Sequence, residues 1–382
     1  MSEEKISIKV GPPVEGKDFF GREEELQYAW DNYIMKGMSL LLSAPRRVGK
    51  SSFAKKMLKQ AEEKGWKTLY LNLEGIGTES EFVKLFKQKF IPERRWDKVG
   101  NFFFKLFDSI KTEKGWINSD VLRNNTYVKM KKLIEKEKEI LIVIDELTIY
   151  LNHLLEQGKG KERVEFFLEW LRSFRQESGT KVSWIFCSSV GIENFVSMHQ
   201  LSKHINDIQP LDIGPFKEDE ARSFITRLEV NEKIHFTEEH INYILEKLVW
   251  LLPFFIQMLV EKIYFLVSTE NNNLSNDTID EAYNRLIAGE HFNTWDERLS
   301  EYKELETHAR LILNLCASND GASREKLLAN LTAQTSRIEK PELILAKALK
   351  MLQNDGYLAA HNGNYIFVSP LLKDFWHYRF IK

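Results

Sequence analysis

Cysteine is nearly absent from these 382 residues: there are two, Cys187 and Cys316, far apart and each among apolar neighbours. That count excludes a disulfide scaffold and a cysteine-based metal cluster, and two core thiols suit a reducing compartment. An excess of either charge is also missing, since 54 Lys and Arg stand against 56 Asp and Glu for a net charge of −2. No global positive field draws the chain onto nucleic acid or acidic lipid, so any such contact must come from a local patch. An unbroken membrane-length apolar run is lacking too. Leu248 to Val267 comes nearest, but Pro253, Gln257, Glu261 and Lys262 interrupt it, and it reads as a buried helix starting at Pro253. Residues Met1 to Pro13 are polar, without the apolar stretch of a signal peptide, so cytoplasmic residence is expected. With 43% apolar and 29% charged residues, a soluble chain of two or three domains is expected.

What is present begins with a loop. Leu40-Leu41-Leu42-Ser43 reads as an apolar strand, Ala44-Pro45-Arg46-Arg47-Val48-Gly49-Lys50-Ser51-Ser52 as a turn, and Phe53-Ala54-Lys55-Lys56-Met57-Leu58 as the helix that follows. A strand that enters a Gly-Lys-Ser turn and leaves as a helix is a phosphate-binding arrangement. Backbone N–H groups wrap the phosphates, the lysine reaches the β- and γ-phosphates, the serine hydroxyl ligates Mg2+, and the helix offers its positive end. Ala44 through Ser52 are therefore the expected triphosphate-binding set, with Lys50 also catalytic and Ser51 a metal ligand. Ala44 departs from the pattern, which opens with glycine; a small residue fits there if its φ is negative.

Far downstream, Glu139-Ile140-Leu141-Ile142-Val143-Ile144-Asp145-Glu146 is an apolar run ending in two carboxylates. It predicts a parallel strand covered on both faces, its C-terminal end open to a ligand crevice. Asp145 is the expected Mg2+ ligand, through the ion's water shell. Glu146 is the expected group that polarises water for in-line attack on the γ-phosphate. A buried strand ending in helix-capping acids is the plainer alternative.

Upstream of the loop, Phe19-Phe20-Gly21-Arg22-Glu23-Glu24-Glu25-Leu26 leads into a helix. This segment resembles the hydrophobic-Gly-Arg-acidic motif of STAND-type signal-transduction NTPases and of the related archaeal-type ATPases and origin-recognition initiators. The resemblance implies that Phe20, Gly21 and Arg22 line a base pocket, and that ATP is the nucleotide. A glycine before an acidic first helical turn is the bland reading of the same residues. It also implies an AAA+-like sensor at the end of the buried strand Lys181 to Ser189, where Ser188 or Ser189 stands. Serines ending a strand are equally common in turns. A lid proline touching nucleotide would correspond to Pro253, although the glycine that precedes it in the family is missing and a helix-starting proline accounts for it as well. No Arg occurs from Gly191 through Glu220, where AAA+ rings place a trans-acting arginine. Lys203 is there instead, and Arg172 and Arg175 are fallback candidates, with a solvated role as the alternative.

Between the motifs, Trp66 to Gly75 reads as a second strand and Thr78 to Lys138 as helical. Phe82, Leu85, Phe86 and Phe90, then Phe102, Phe103, Leu106 and Phe107, form an aromatic stripe that suits core or a partner groove. From Leu211-Asp212-Ile213-Gly214-Pro215-Phe216 onward the pattern turns helical. Near the end, helices around Leu311 to Cys316, Ser323 to Leu331 and Pro341 to Asn354 precede a hairpin turning at His361-Asn362-Gly363-Asn364. The expected fold is α/β: a P-loop NTPase with an AAA+-like parallel sheet and flanking helices over 1–212, an all-α lid over 213–302, and a winged helix over 303–382.

The function expected from the resemblance is an ATP-binding, slowly hydrolysing switch that uses Mg2+. Its nucleotide state would govern the lid, the winged helix and association with a protein partner or a second copy. An initiator-like DNA-binding protein is the alternative. The third helix of the winged helix sets Lys340, Lys347 and Lys350 against Glu339 and Glu342, and the wing tip has no Lys or Arg, a thin footprint for DNA. A small-molecule kinase is a third reading, opposed by the Asp145-Glu146 pair and by Gly21-Arg22. No membrane partner is expected.

Overall fold

A computed structural model of the chain describes residues 5–90, 120–175, 181–188, 191–229, 234–270, 273–334 and 339–382. The elements run from β1 (Ile6–Ser7) through the helix Glu23–Asn32 to β2 (Leu40–Ser43), the helix Lys50–Glu63 and β3 (Lys67–Asn72). The helices Glu79–Phe90 and Asp120–Ile134 precede β4 (Glu139–Asp145), the helices Leu147–Leu155 and Gly160–Arg175 precede β5 (Lys181–Ser188), and β6 (Gln209–Leu211) ends the series. The chain divides into two compact units. One comprises Arg22–Ser43 and Lys50–Ile213, the other Met1–Gly21, Ala44–Gly49 and Gly214–Lys382.

The first unit is built on a five-stranded parallel sheet in the order β3-β4-β5-β2-β6. All six residues from Ile140 to Asp145 are buried, as a strand covered on both faces requires. The phosphate-loop strand β2 is not beside β4. β5 lies between them, so the ends of β2, β5 and β4 stand in a row, with Ser43 opposite Ser188 and Asn72 opposite Asp145. The connection after β2 runs to the β3 edge and the last strand lies on the other edge, the reversal of direction that opens a crevice beyond the strand ends.

One face of the sheet is packed with aromatics. Phe82 is fully buried against Tyr127, Tyr150, Phe167 and Trp170, with ring centroids 5.1–6.3 Å away. Phe86 and Phe90 are buried beside it, so this part of the stripe is core. Phe102, Phe103, Leu106 and Phe107 lie outside the described residues. The second strand is shorter than the pattern suggested, Lys67–Asn72, although the Leu73 N–H still bonds to the Asp145 carbonyl. Arg175 is not a solvated group: its guanidinium grips Asp207 at 2.8 and 3.0 Å and also donates to the His204 carbonyl.

In the second unit β1 pairs in parallel with β7 (Leu228–Glu229). Helices follow at Glu238–Leu248, capped by Thr237, then Pro253–Thr269 with proline at its first turn, and Asn276–Ala288, capped by Ser275. Among the described residues no helix is long and apolar enough to cross a membrane. The helix Glu306–Ser318, β8 (Ala322–Ser323), the helices Arg324–Gln334 and Pro341–Asn354, and the hairpin β9 (Leu358–His361) and β10 (Asn364–Phe367) come next. The three strands form one antiparallel sheet in the order β8-β10-β9. Asn362 and Gly363 both take positive φ, 48° and 80°, which gives the hairpin a turn whose twist matches its strands.

Removing the ring at the centre of the aromatic layer tests this packing. Phe82→Ala is expected to destabilise the chain by about 3–5 kcal/mol, and Phe82→Leu by less, because the cavity is lined on several sides by rings that cannot collapse into it. Denaturant unfolding followed by far-UV circular dichroism measures the difference; equal midpoints for parent and Phe82→Ala would contradict it.

Candidate functional site

Lys50 opens the helix Lys50–Glu63 and is 8% exposed, and Ser51 follows it in the first turn. Asp145 ends β4 and is 5% exposed. A buried carboxylate needs partners, and both of its oxygens have them. Oδ2 accepts the Tyr70 hydroxyl at 2.6 Å, and Oδ1 accepts the backbone N–H of Glu146 at 3.1 Å. Burial, then the Asp145 charge, raise the Tyr70 pKa far above the usual phenol value, which keeps the hydroxyl a donor.

Cys187, fully buried in β5, reports how these charges converge. Burial raises its pKa well above the ordinary thiol value; Asp145 adds to the rise, Lys50 opposes it and Glu146 adds again. Asp145 ends β4, Glu146 follows it and Lys50 opens the helix after β2, so all three lie toward the C-terminal ends of parallel strands. Glu146 takes a left-handed conformation, φ 56° and ψ 39°, and heads the helix Leu147–Leu155. Ser188, the expected sensor, donates its hydroxyl to Thr148 Oγ1 at 2.6 Å, which ties the end of β5 to that helix. Ser189 lies outside the described residues. Arg22 caps the helix Glu23–Asn32 with φ 71° and meets Glu25 at 3.3 Å.

Ser51 and Asp145 supply the hard oxygen donors that Mg2+ prefers, so the residues present fit that ion. Another grouping does not. Ligand atoms of Glu165, Glu169 and His204 lie within 4.8 Å of one another, but the Lys203 ammonium already sits 2.8 Å from Glu165 Oε1. That cluster carries its own cation.

The loop Ala44–Gly49 belongs to the second unit. Ala44 is not among the residues with positive φ, as a side chain in the place of glycine requires, whereas Arg47 and Gly49 have φ of 67° and 101°. Each side chain at the front of the loop meets the helical part of the chain. Arg46 reaches Glu301 at 3.3 Å; Arg47 donates to the Gly11 carbonyl at 3.1 Å and lies 4.7 Å from the Phe254 ring centroid. Pro45 packs on Gly356, where a Cβ would come within 2.6 Å of its Cγ and 2.8 Å of Trp250. Gly356 is pinned on both sides. Asp355 accepts from Arg298 and from the Tyr302 hydroxyl, each at 2.8 Å, and the Tyr357 hydroxyl donates to the Trp295 carbonyl.

Phe20 lies in an aromatic cluster with Phe216 and Phe224, centroids 5.8 and 5.3 Å away, with the Arg227 guanidinium 5.3 Å from its ring. Gly21 has φ 68° and would bring a Cβ to 3.4 Å from both Phe216 and Glu220. Pro253 is the first residue of its helix. Sequence reading missed Tyr70, Thr148, Glu301 and Gly356. Tyr70 left one trace, a strand whose Thr68, Tyr70 and Asn72 alternate with buried Leu69 and Leu71.

Comparison with solved structures finds the Walker-type ATPase of Pyrococcus abyssi at a TM-score of 0.63 and 17% identity, covering 97% of this chain and 99% of that one. The ORC2 protein of Aeropyrum pernix, solved in ADPNP–ADP complexes, aligns at 0.53 and 12% identity over 97% of this chain and 96% of the other. The fold is of the P-loop AAA+ type. No protein-family model matches the chain, and no curated protein matches it significantly.

Gly356→Ala tests the seat of the loop. A Cβ at φ 74° is strained and meets Pro45 and Trp250. The variant is expected to lose about 1–3 kcal/mol of stability by overpacking alone, read as a lowered unfolding midpoint. A midpoint equal to the parent's would show that the turn yields freely.

Proposed function

We propose that this chain binds ATP with Mg2+, hydrolyses it slowly, and acts as a switch whose nucleotide state controls its helical and C-terminal segments and, through them, a protein partner or a second copy. One observation carries the switch. The phosphate loop's own side chains are held by residues of those segments: Arg46 by Glu301, Arg47 by Phe254 and Gly11, and Pro45 by the turn at Gly356. A ligand shifts a conformational equilibrium only through contacts that differ between the states. Phosphate competing for Arg46 and Arg47 would supply such a difference.

On this reading the loop's N–H groups and Lys50 bind the phosphates, and Ser51 and Asp145 hold Mg2+, which offsets the charge on the β- and γ-phosphates. Glu146 polarises the attacking water, with Asp145 holding its backbone N–H, while the Ser188–Thr148 bond steadies the start of its helix. Phe20, Gly21 and Arg22 are the proposed base contacts. Slow turnover is part of this reading, supported by two of the candidate cations being engaged within the chain: Arg175 is bound to Asp207 and Lys203 to Glu165. The C-terminal helices and hairpin, read as a winged helix, are assigned a protein-facing role, because Lys347 and Lys350 are exposed beside Glu342 and the wing tip carries no cation. Duplex binding with a steep salt dependence would reverse that assignment.

Lys50→Ala is expected to weaken ATP by a hundredfold or more in equilibrium binding, and unaltered affinity would refute the site. Glu146→Gln should keep ATP while lowering its turnover by about 10²-fold or more. Turnover equal to the parent's would remove Glu146 from the water-activating role.

A further inference from the structure

The front of the loop already meets an anion that belongs to the chain itself. The Glu301 carboxylate stands 3.3 Å from the Arg46 guanidinium, and both side chains are about one-third exposed, at 35% and 29%. Arg47 follows directly, its guanidinium turned to the Gly11 carbonyl and the Phe254 ring. Burial, then the neighbouring Arg46 charge, lower the Arg47 pKa, as two crowded guanidiniums require. Glu301 brings a negative charge to that positive pair.

Its neighbours hold Glu301 in place. It lies in the short 3-10 stretch Leu299–Leu305, and that stretch is anchored on both sides of it. Arg298 and the Tyr302 hydroxyl each bind one oxygen of the buried Asp355 carboxylate at 2.8 Å. Lys303 then takes φ 52° and ψ −117°, a backbone region that favours glycine, so the turn after Glu301 is strained. A surface ion pair is weakened by the entropy of ordering two long side chains, and an anchored turn lowers that cost. The same Asp355 precedes Gly356, on which Pro45 packs, so this stretch is linked to the loop at two adjacent residues.

We propose that Glu301 is an internal competitor for the phosphate loop: its carboxylate occupies the Arg46 guanidinium in the nucleotide-free chain, and the phosphates of a bound nucleotide displace it. This rests on the ATP reading above and adds a regulatory residue to it. The exchange moves one guanidinium from a carboxylate to a phosphate oxygen and changes no covalent bond. A triphosphate carries more negative charge than one carboxylate, so the exchange runs toward nucleotide. Removing the competitor is expected to tighten nucleotide binding, and displacing it to loosen the stretch Leu299–Leu305.

The test measures the affinity of the full chain for a non-hydrolysable ATP analogue by titration calorimetry at low salt, for the parent, Glu301→Gln, Arg46→Ala, the double variant and Glu304→Gln. Glu304 is exposed on the same stretch, so its substitution removes an equal charge and leaves the Arg46 contact in place. Each variant is checked for a parental circular dichroism spectrum. Glu301→Gln is expected to bind the analogue about two- to fivefold more tightly, the range of an exposed ion pair, with the gain shrinking as salt is raised. Glu304→Gln should bind as the parent does, and the double variant should gain nothing over Arg46→Ala. Analogue binding by the parent should also speed amide hydrogen exchange over Leu299–Leu305. Glu301→Gln affinity equal to or below the parent's, an equal gain from Glu304→Gln, a gain undiminished in the Arg46→Ala background, or slowed exchange over that stretch would each overturn the competition while leaving the nucleotide site standing. Failure of both the parent and Glu301→Gln to take up the analogue would overturn the site as well.

Discussion

A carboxylate buried at the end of a strand is the constraint on which the rest of the first unit depends. Asp145 closes a run of six buried residues, so it reaches the sheet's edge with little water to solvate it. Desolvating a charge costs several kcal/mol unless hydrogen bonds replace the water. Tyr70 and the Glu146 N–H provide those bonds, and each comes with a structural demand. β3 must pair with β4 in the register that puts Tyr70 near Asp145, and the chain must turn sharply at Glu146 so that its N–H folds back. The strand order adjacent to β4 and the start of the next helix are thus tied to one side chain.

The second unit has a matching constraint at the turn Asp355–Tyr357. A buried Arg298–Asp355 pair is weak evidence of stability, since replacing such pairs by apolar groups is often neutral, but it holds geometry closely. With Tyr302 on the second carboxylate oxygen and Tyr357 tied to the Trp295 carbonyl, the residues on both sides of Gly356 are anchored while Gly356 itself carries no side chain. Pro45 lies in that gap. A rigid turn against a loop transmits displacement, where a pliant one would absorb it. On the proposed switch reading, this is why loop movement would be felt by the C-terminal helices.

What the sequence made legible was local. The apolar run before Asp145, the proline starts at Pro253 and Pro341 and the Asn362-Gly363 turn each carry their signal within a few residues, and each element formed there. What it hid was lateral. Tyr70 matters because β3 lies beside β4, Thr148 because β5 ends beside its helix, and Glu301 because a distant segment returns to Arg46; no periodicity encodes which strand neighbours which. The partner of Arg175, a fallback candidate for a trans-acting arginine, is hidden for the same reason: Asp207 reaches it from another part of the chain. The residues proposed to bind phosphate, by contrast, are contiguous, which is why the loop is legible in the sequence although its attachments are not.

Backbone strain is shared by these motifs. Arg22, Arg47 and Glu146 all have positive φ, and each lies in one of the segments singled out by pattern alone. A left-handed residue with a side chain costs roughly 1 kcal/mol relative to glycine, so a plain turn at any of these places would be better served by glycine. Such residues do occur elsewhere in the chain, as at Lys159 and Gln200, and positive φ alone therefore assigns nothing. At Glu146 the case is more specific. Its N–H is bonded to Asp145, its conformation turns the chain away from the strand direction, and its carboxylate contributes to the field at Cys187 together with Lys50 and Asp145. Glycine would relieve the turn and lose that charge. On the proposed reading, the strain is retained because the site requires the side chain and not the bend.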